Sequence, residues 1–275
     1  MTIKEKFNIS GKVAIITGGA GMLGREFART LLEYGGDVVI ADISREKGEE
    51  ALNELKQDLK GKLSYEYVDI TSKDSVNEMV KAVQNHYGKI DILINNAALD
   101  PKFDKINGFK QDSSFEDYPL ELWERAIATN LTGAFLFCQA VGKIMAIGKG
   151  GVIVNVASEL GVIAPDHRIY IKKSDPDKIT FKPIDYPVTK AALIHMTRYL
   201  ASYWRDKNIR VNALCPAAVY TSQGEELVEN IKYRTILGRM SRKDEFNGAM
   251  IFLVSEASSY MTGANLIVDG GRTVW

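Results

Sequence analysis

Two cysteines, three histidines and seven prolines among 275 residues leave little material for several kinds of chemistry. Cys138 and Cys215 sit in apolar surroundings without metal-ligand spacing, which reads as buried free thiols rather than a disulfide. His86, His167 and His195 are too scattered to form a metal site, and His195 falls on an apolar helix where packing is its expected role. Neither sign of charge is in excess: 35 Lys plus Arg balance 35 Asp plus Glu, and the sequence pI is 6.9. Such a chain has no electrostatic pull toward nucleic acid or an anionic membrane. No apolar run approaches the roughly 18 residues of a membrane span, and MTIKEKFNIS carries no apolar core of a signal peptide. No Pro/Gly/Ser-rich linker, repeat or low-complexity segment divides the sequence. The expectation is one soluble, cytoplasmic domain over residues 1–275, long enough for a full-sized core.

What is present alternates. VAIIT (13–17), VVIA (38–41), LSYEYV (63–68) and IDILI (90–94) read as short strands. Between them, Leu23, Phe27 and Leu31, then Ala51, Leu52, Leu55 and Leu59, then Val76, Met79, Val80 and Val83 recur at helical spacing. VIVNV (152–156), VNAL (211–214) and NLIV (265–268) supply later strands. Short apolar strands alternating with amphipathic helices predict an α/β fold, a doubly wound parallel sheet with helices on both faces. Two irregular stretches interrupt the rhythm: Leu99 to Tyr118, and the charged run within APDHRIYIKKSDPDKITFKPIDYPVTK (164–190). Both begin at strand ends, where open parallel sheets bind ligands. AFLFCQAVGKIMAI (134–147) and AALIHMTRYLASYW (191–204) are apolar on more than one face. Helices of that kind need cover on all sides, which predicts a subunit partner and a homo-oligomer, dimer or tetramer.

TGGAGMLG (17–24) follows the first strand and opens the first long helix. Gly18, Gly19, Gly21 and Gly24 allow a tight turn, and the helix start at Met22 and Leu23 presents backbone N–H groups to a phosphate. Asp42 closes VVIAD, twenty-four positions beyond Gly18. A carboxylate there accepts from the adenosine ribose hydroxyls and repels a 2′-phosphate, so NAD(H) is predicted over NADP(H). Arg45 pulls the other way more weakly, being displaced into the next helix.

Taken in order, TGGAGMLG, NNAA (95–98), Asn130 in TNLTG, Ser158 in NVASELG, YPVTK (186–190), VNALCPAAVYT (211–221) and YMTGANLIVDGG (260–271) resemble the short-chain dehydrogenase/reductase family. The resemblance covers almost the whole chain. Three departures stand out: Met22 at the family's second motif glycine, NNAA in place of NNAG, and Ala217 for the glycine after Pro216. They touch turn chemistry only. The resemblance implies a Rossmann-type fold binding a nicotinamide cofactor. It further implies that Asp69 and Ile70 flank the adenine, that Asn95 and Ala97 line the cofactor channel, and that Pro216, Val219 and Thr221 hold the nicotinamide end. By the same resemblance Lys190 binds the nicotinamide ribose, and Asn130 holds a water that relays protons to Lys190. FKPIDYPVTKAAL and DGGRTVW also resemble short-chain oxidoreductases of bacterial surface-sugar and flagellin-modification pathways.

Two tyrosines follow Ser158: Tyr170 at twelve positions and Tyr186 at twenty-eight. Hydride transfer at a carbinol carbon leaves one proton to move, which requires a general acid/base. A free phenol, with a pKa of about 10, is a poor base at neutral pH, and a lysine one helical turn away is expected to lower that value. Tyr186 and Lys190 are i, i+4 neighbours in a helix, and Pro187 suits its first turn. Tyr170 has Ser174 at that spacing and lies in no helical pattern, so Tyr186 is expected to carry the chemistry. Ser158, just past a strand, is placed to hydrogen-bond the substrate oxygen.

The family has a shorter gap between its serine and tyrosine, so 165–182 reads as an insertion, and the 99–118 loop is long as well. His167, Arg168, Lys172, Lys173 and Lys182 on the first, and Lys102, Lys105 and Lys110 on the second, favour a polar substrate. Their alternative reading is solvation of long surface loops. Ser158, Glu159, Arg168 and Tyr186 are the candidate substrate contacts, with Glu159 open between substrate and solvent. The predicted activity is NAD(H)-dependent oxidation or reduction of a polar secondary alcohol or ketone, a sugar derivative included. A 3-oxoacyl or simple polyol substrate is the alternative, as is a non-catalytic NAD-binding regulator, which the intact Ser158–Tyr186–Lys190 set argues against.

Overall fold

VAIIT forms β1 (Val13–Thr17) with every residue buried, as a central parallel strand covered on both faces requires. In the computed structural model, which describes residues 1–56, 60–100, 114–171 and 180–275, β1 is joined by six further strands. They are β2 (Asp37–Asp42), β3 (Leu63–Tyr67), β4 (Ile92–Asn95), β5 (Gly151–Val156), β6 (Ile209–Pro216) and β7 (Asn265–Val268). The sheet runs β3-β2-β1-β4-β5-β6-β7 with every pairing parallel. Each strand read from the sequence is present, with no end moved by more than two residues. The order reverses between β1 and β4, so a crevice opens beyond their carboxyl ends, at Thr17 and Asn95.

Among the described residues a short α1 (Ile3–Lys6) precedes the sheet. The three expected helices follow as α2 (Met22–Glu33), α3 (Arg45–Leu55) and α4 (Lys73–Tyr87); Leu59 lies outside the described residues. Ser44 and Ser72 cap α3 and α4, each accepting from a backbone N–H in the first turn. Next come α5 (Leu120–Ala126), one π-helical turn (Ile127–Thr132), α6 (Gly133–Ile147), α7 (Asp185–Tyr203), α8 (Glu225–Tyr233) and α9 (Asn247–Val254). One face of the sheet packs Phe27, Leu31, Leu55, Met250 and Leu253 from α2, α3 and α9. The other packs Val76, Val80, Phe137, Val141 and Met145 from α4 and α6, with Trp204 following α7. This is the expected doubly wound α/β sheet.

The continuous helix Leu120–Ile147 is long and apolar enough in composition to cross a membrane, yet its Phe137, Val141 and Met145 are buried on the sheet. The two helices expected to be covered all round are covered on one side within this chain. Phe135 and Ile147 of α6, and Tyr199 and Tyr203 of α7, remain exposed, the two tyrosine rings stacked on each other.

Candidate active site

The crevice begins at the glycine turn. Gly18 has φ +60, and a Cβ there would meet Ala97 Cα at 2.7 Å; a Cβ on Gly24 would meet Gly18 O at 2.4 Å. Both positions therefore admit only glycine, which draws the turn against NNAA and the start of α2. Gly21 precedes α2 without a side-chain cap, so the first N–H groups of α2, from Met22 and Leu23 onward, are left to a ligand. Asp42, at the end of β2, accepts from Ala20 N–H at 3.2 Å and from Ser44 N–H at 3.1 Å, fixing its carboxylate beside the turn. Arg45 lies over the Tyr67 ring, 4.8 Å from its centroid, and Arg25 pairs with Glu50 and Glu54. An open glycine cradle, an uncapped helix start and a strand-end carboxylate fit a dinucleotide.

The remaining nucleotide-end residues divide. Asp69 follows β3 and accepts from the Thr71 N–H and hydroxyl through one carboxylate oxygen, and Ile70 packs against Gly133 at the start of α6. Ala97 borders Gly18. Asn95, expected to line the channel, instead turns its side chain into the core. Its Nδ2 donates to Asn155 Oδ1 at 2.8 Å and to Cys138 Sγ at 3.2 Å. The neighbouring Asn96 reaches the turn, donating through Nδ2 to Thr17 O and Gly18 O. The alternation of a strand sends adjacent side chains to opposite sides, so the NN doublet carried that signal. Pro216 ends β6; Val219 bridges to Ser241, and the exposed Thr221 donates its N–H to Gln223.

At the other end of the crevice, Ser158 follows β5, while Tyr186 and Lys190 occupy the first turns of α7. Pro187 is the third residue of α7, where a missing N–H has no intrahelical partner. Lys190 is 2% exposed; its Nζ donates to Val156 O at 2.7 Å and lies 5.6 Å from the Tyr186 ring centroid. Burial lowers Lys190 to about 8. The expected lowering of the phenol by Lys190 is not what this arrangement produces. Loss of solvent, reinforced by Asp100 and Glu159, raises Tyr186 above the usual tyrosine value, and the Ser158 hydroxyl opposes that rise. Asn130 sits in the π-helical turn, a geometry often found at functional sites. Its amide bonds the Leu99 backbone in both directions, at 2.6 and 2.9 Å, and donates to Thr189 Oγ1 at 3.2 Å. It thereby anchors the start of the 99–118 loop to α7.

Charged pairs from distant segments close this end. Lys182 pairs with Asp100 and lies over the Tyr186 ring at 4.4 Å. Glu159 is buried; its Oε1 is 3.9 Å from Arg272 Nε, and burial pushes it up to about 7. Asp185, the first residue of α7, accepts from Tyr118 Oη at 2.8 Å and from Tyr186 N–H at 2.6 Å. Tyr170 packs with Ile169, Ile231 and Met240, close enough to Asp100, Glu159 and Arg272 for their charges to act on its phenol. Arg168, expected to contact substrate, is committed to another partner. Its side chain is 74% exposed and its guanidinium is bound to Asp166, which also pairs with Arg234. Lys102, Lys105, Lys110, Lys172 and Lys173 lie outside the described residues. Among the described residues no cluster of His, Cys, Asp or Glu is arranged to hold a metal ion.

Comparison with known proteins agrees with this geometry. The family model for short chain dehydrogenases matches residues 12–170, and that for enoyl-(acyl carrier protein) reductases matches 178–273. An NAD-dependent glycerol dehydrogenase of Listeria innocua is 35% identical, with all of both chains covered. A D-threitol dehydrogenase of Mycolicibacterium smegmatis is 30% identical, over 100% of this chain and 97% of its own. The fold is shared with a gluconate 5-dehydrogenase from Burkholderia cenocepacia, solved with NADP and tartrate. That match has a TM-score of 0.83 and 27% identity, over 98% of each chain. The chain belongs to the short-chain dehydrogenase/reductase family, whose members bind a nicotinamide cofactor.

Proposed function

We propose that the chain is an NAD(H)-preferring oxidoreductase that interconverts a polar secondary alcohol and its ketone, of the polyol or ketose class. The observation that carries this reading is the convergence of Ser158, Tyr186 and Lys190 beyond the carboxyl ends of β5 and β6. The glycine turn, the start of α2 and Asp42 would hold the dinucleotide, with Val219 and Thr221 toward the nicotinamide. A bound nicotinamide supplies hydride transfer to or from the substrate carbon. The residues of the chain do the rest. Ser158 hydrogen-bonds the substrate oxygen, and Tyr186 gives or takes its proton. Lys190, held by Val156 O, fixes the first turns of α7 and places a charge near the phenol. The preference for NAD(H) rests on Asp42 and on the commitment of Arg45 and Arg25 to Tyr67 and to Glu50 and Glu54.

The polyol class draws support from the glycerol and threitol relatives and from the charged walls at Lys182, Asp100 and Glu159. A sugar derivative of the surface-sugar kind is the narrower form of this reading. A 3-oxoacyl thioester is the second reading, favoured by Ile231 and Met240, which line a cavity that Arg272 also borders. The protein acts as a single cytoplasmic domain, with Asp100 and Lys182, from the 99–118 and 165–182 stretches, as substrate walls. It assembles as a dimer or tetramer through the exposed outer faces of α6 and α7. A panel of glycerol, D-threitol, dihydroxyacetone, ketoses and an acetoacetyl thioester, followed by NADH and NADPH absorbance, tests the proposal. Turnover of polyols or ketoses with NAD(H) is expected. Turnover of the thioester alone would transfer the assignment to the second reading.

A further inference from the structure

A serine hydroxyl has one proton to donate and two lone pairs to accept with. Both kinds of bond are in use at Ser158: it accepts from Leu160 N–H at 3.2 Å and donates to Glu159 Oε2 at 3.1 Å. A proton held by Glu159 is not available to a carbonyl oxygen. Glu159 is only 5% exposed, and its other oxygen faces Arg272, itself 6% exposed. Arg272 is carried back to this point by Gly270 and Gly271, at φ +65 and +86. The Arg272–Glu159 pair is long, at 3.9 Å, and Nη1 of the guanidinium has no hydrogen-bond partner among the described residues.

We propose that Glu159 is a positioning residue whose protonation decides what Ser158 offers the substrate oxygen. With Glu159 ionised, the Ser158 proton stays on Oε2, one lone pair of Oγ stays open, and the O–H of a substrate alcohol goes to Tyr186. With Glu159 protonated by solvent, the carboxyl O–H donates to Ser158 Oγ and fills that lone pair. The Ser158 proton then turns to the oxygen of a ketone. Protonated Glu159 lets Ser158 stabilise the substrate oxygen as charge develops on it, and ionised Glu159 withholds that bond; the transferred proton moves through Tyr186 in either direction. The inference rests on Ser158 and Tyr186 being the catalytic groups proposed above.

The groups around Glu159 come from several elements. Arg272 approaches from the C-terminal turn and Lys182 from the segment before α7, while the phenols of Tyr186 and Tyr170 and the Cys215 thiol of β6 all feel its charge. Burial raises the carboxyl, and Arg272, the Ser158 hydroxyl and Lys182 hold it down, leaving it near 7 where both forms are populated at neutral pH.

The test is reduction of dihydroxyacetone, or of whichever ketose the panel turns over, from about pH 5 to about pH 9 in wild type and Glu159→Gln. Wild-type kcat is expected to fall about tenfold per pH unit above the Glu159 ionisation, with KM little changed. The glutamine amide donates to Ser158 at every pH, so the variant should lose the fall and exceed wild type about tenfold one unit above it. The same fall in Glu159→Gln overturns the proposal. If the unpaired Arg272 unfolds that variant, Glu159→Gln with Arg272→Met removes the stranded charge. A second readout needs no turnover. The carboxyl band in the infrared difference spectrum between wild type and Glu159→Gln should titrate across neutral pH, and Ser158→Ala should move its midpoint upward by about half a unit. A carboxyl ionised throughout, or one indifferent to Ser158→Ala, overturns the coupling. A panel with no turnover but an intact infrared response would instead overturn the functional reading alone.

Discussion

The two ends of the crevice are held in different ways. At the nucleotide end single side chains bond the backbone. Thr17 Oγ1 accepts from the N–H of Asn96 and Ala97, Asn96 donates to Thr17 O and Gly18 O, and Asp42 accepts from two N–H groups. At the substrate end, side chains from remote positions hold one another. Lys182 and Asp100 are 82 residues apart in sequence, Tyr118 and Asp185 are 67 apart, and Asn130 and Thr189 are 59 apart. A bond of the first kind depends on one side chain, a bond of the second kind on two. Single substitutions should therefore act hardest at the substrate end.

The largest effect is expected at Tyr186. Tyr186→Phe keeps the ring over which Lys182 lies but removes the proton carrier, and turnover should fall about 10³-fold, the scale of general acid–base catalysis. NADH binding, read by fluorescence titration, should stay within about twofold, because the turn at Gly18 and Asp42 is untouched. Robust turnover in the variant would remove Tyr186 from the mechanism and with it the asymmetry between the two ends.

Tyr118→Phe probes the same end through stability. Asp185 is buried, and desolvation raises its carboxyl while the Tyr118 hydroxyl and the Tyr186 N–H hold it down. A raised folded-state pKa means that the native protein binds the proton more tightly than the unfolded chain. Its contribution is fully present below the unfolded value and is lost as pH rises through the folded one. Removing the Tyr118 donor enlarges that loss. Urea unfolding should show the variant about 2 kcal/mol less stable at neutral pH, with the gap narrowing in acid where Asp185 is protonated in both states. A gap that does not change with pH would show that the pair with Asp185 contributes no charge-dependent stability.

Legibility follows the same division. Strands, their order of use and the glycine turn depend on short windows of sequence, and the seven strands lie where VAIIT, VVIA and their counterparts placed them. The spacing of Tyr186 and Lys190 was also readable, since four residues are one helical turn. What the windows did not contain was long-range. Arg272 reaches Glu159 only because β7 lies beside β6 and two glycines turn the chain back. The phenol of Tyr186 is raised rather than lowered because its burial and the charges of Asp100 and Glu159 are set by the assembled fold. Asn95 and Asn96 were separable by strand alternation: the side chain of Asn95 turns into the core and that of Asn96 to the glycine turn.

The smallest effect is expected at Asp42, and the reason sharpens the contrast. Asp42→Ala removes the acceptor of Ala20 N–H and Ser44 N–H together with the charge that would repel a 2′-phosphate. The glycine turn nevertheless keeps its attachments through Thr17 and Asn96, so the cradle should persist. Arg45 is stacked on Tyr67 and Arg25 is paired with Glu50 and Glu54, so neither guanidinium is ready to receive the extra phosphate. The preference should relax by about tenfold in the ratio of kcat/KM for NADH to that for NADPH, without inverting. Asp42→Asn, which keeps one acceptor oxygen and loses the charge, separates the two contributions. A relaxed ratio in both variants assigns the discrimination to charge; relaxation in the alanine variant alone assigns it to the turn. An unchanged ratio in both would take Asp42 out of cofactor selection and leave backbone geometry as the whole of the nucleotide end.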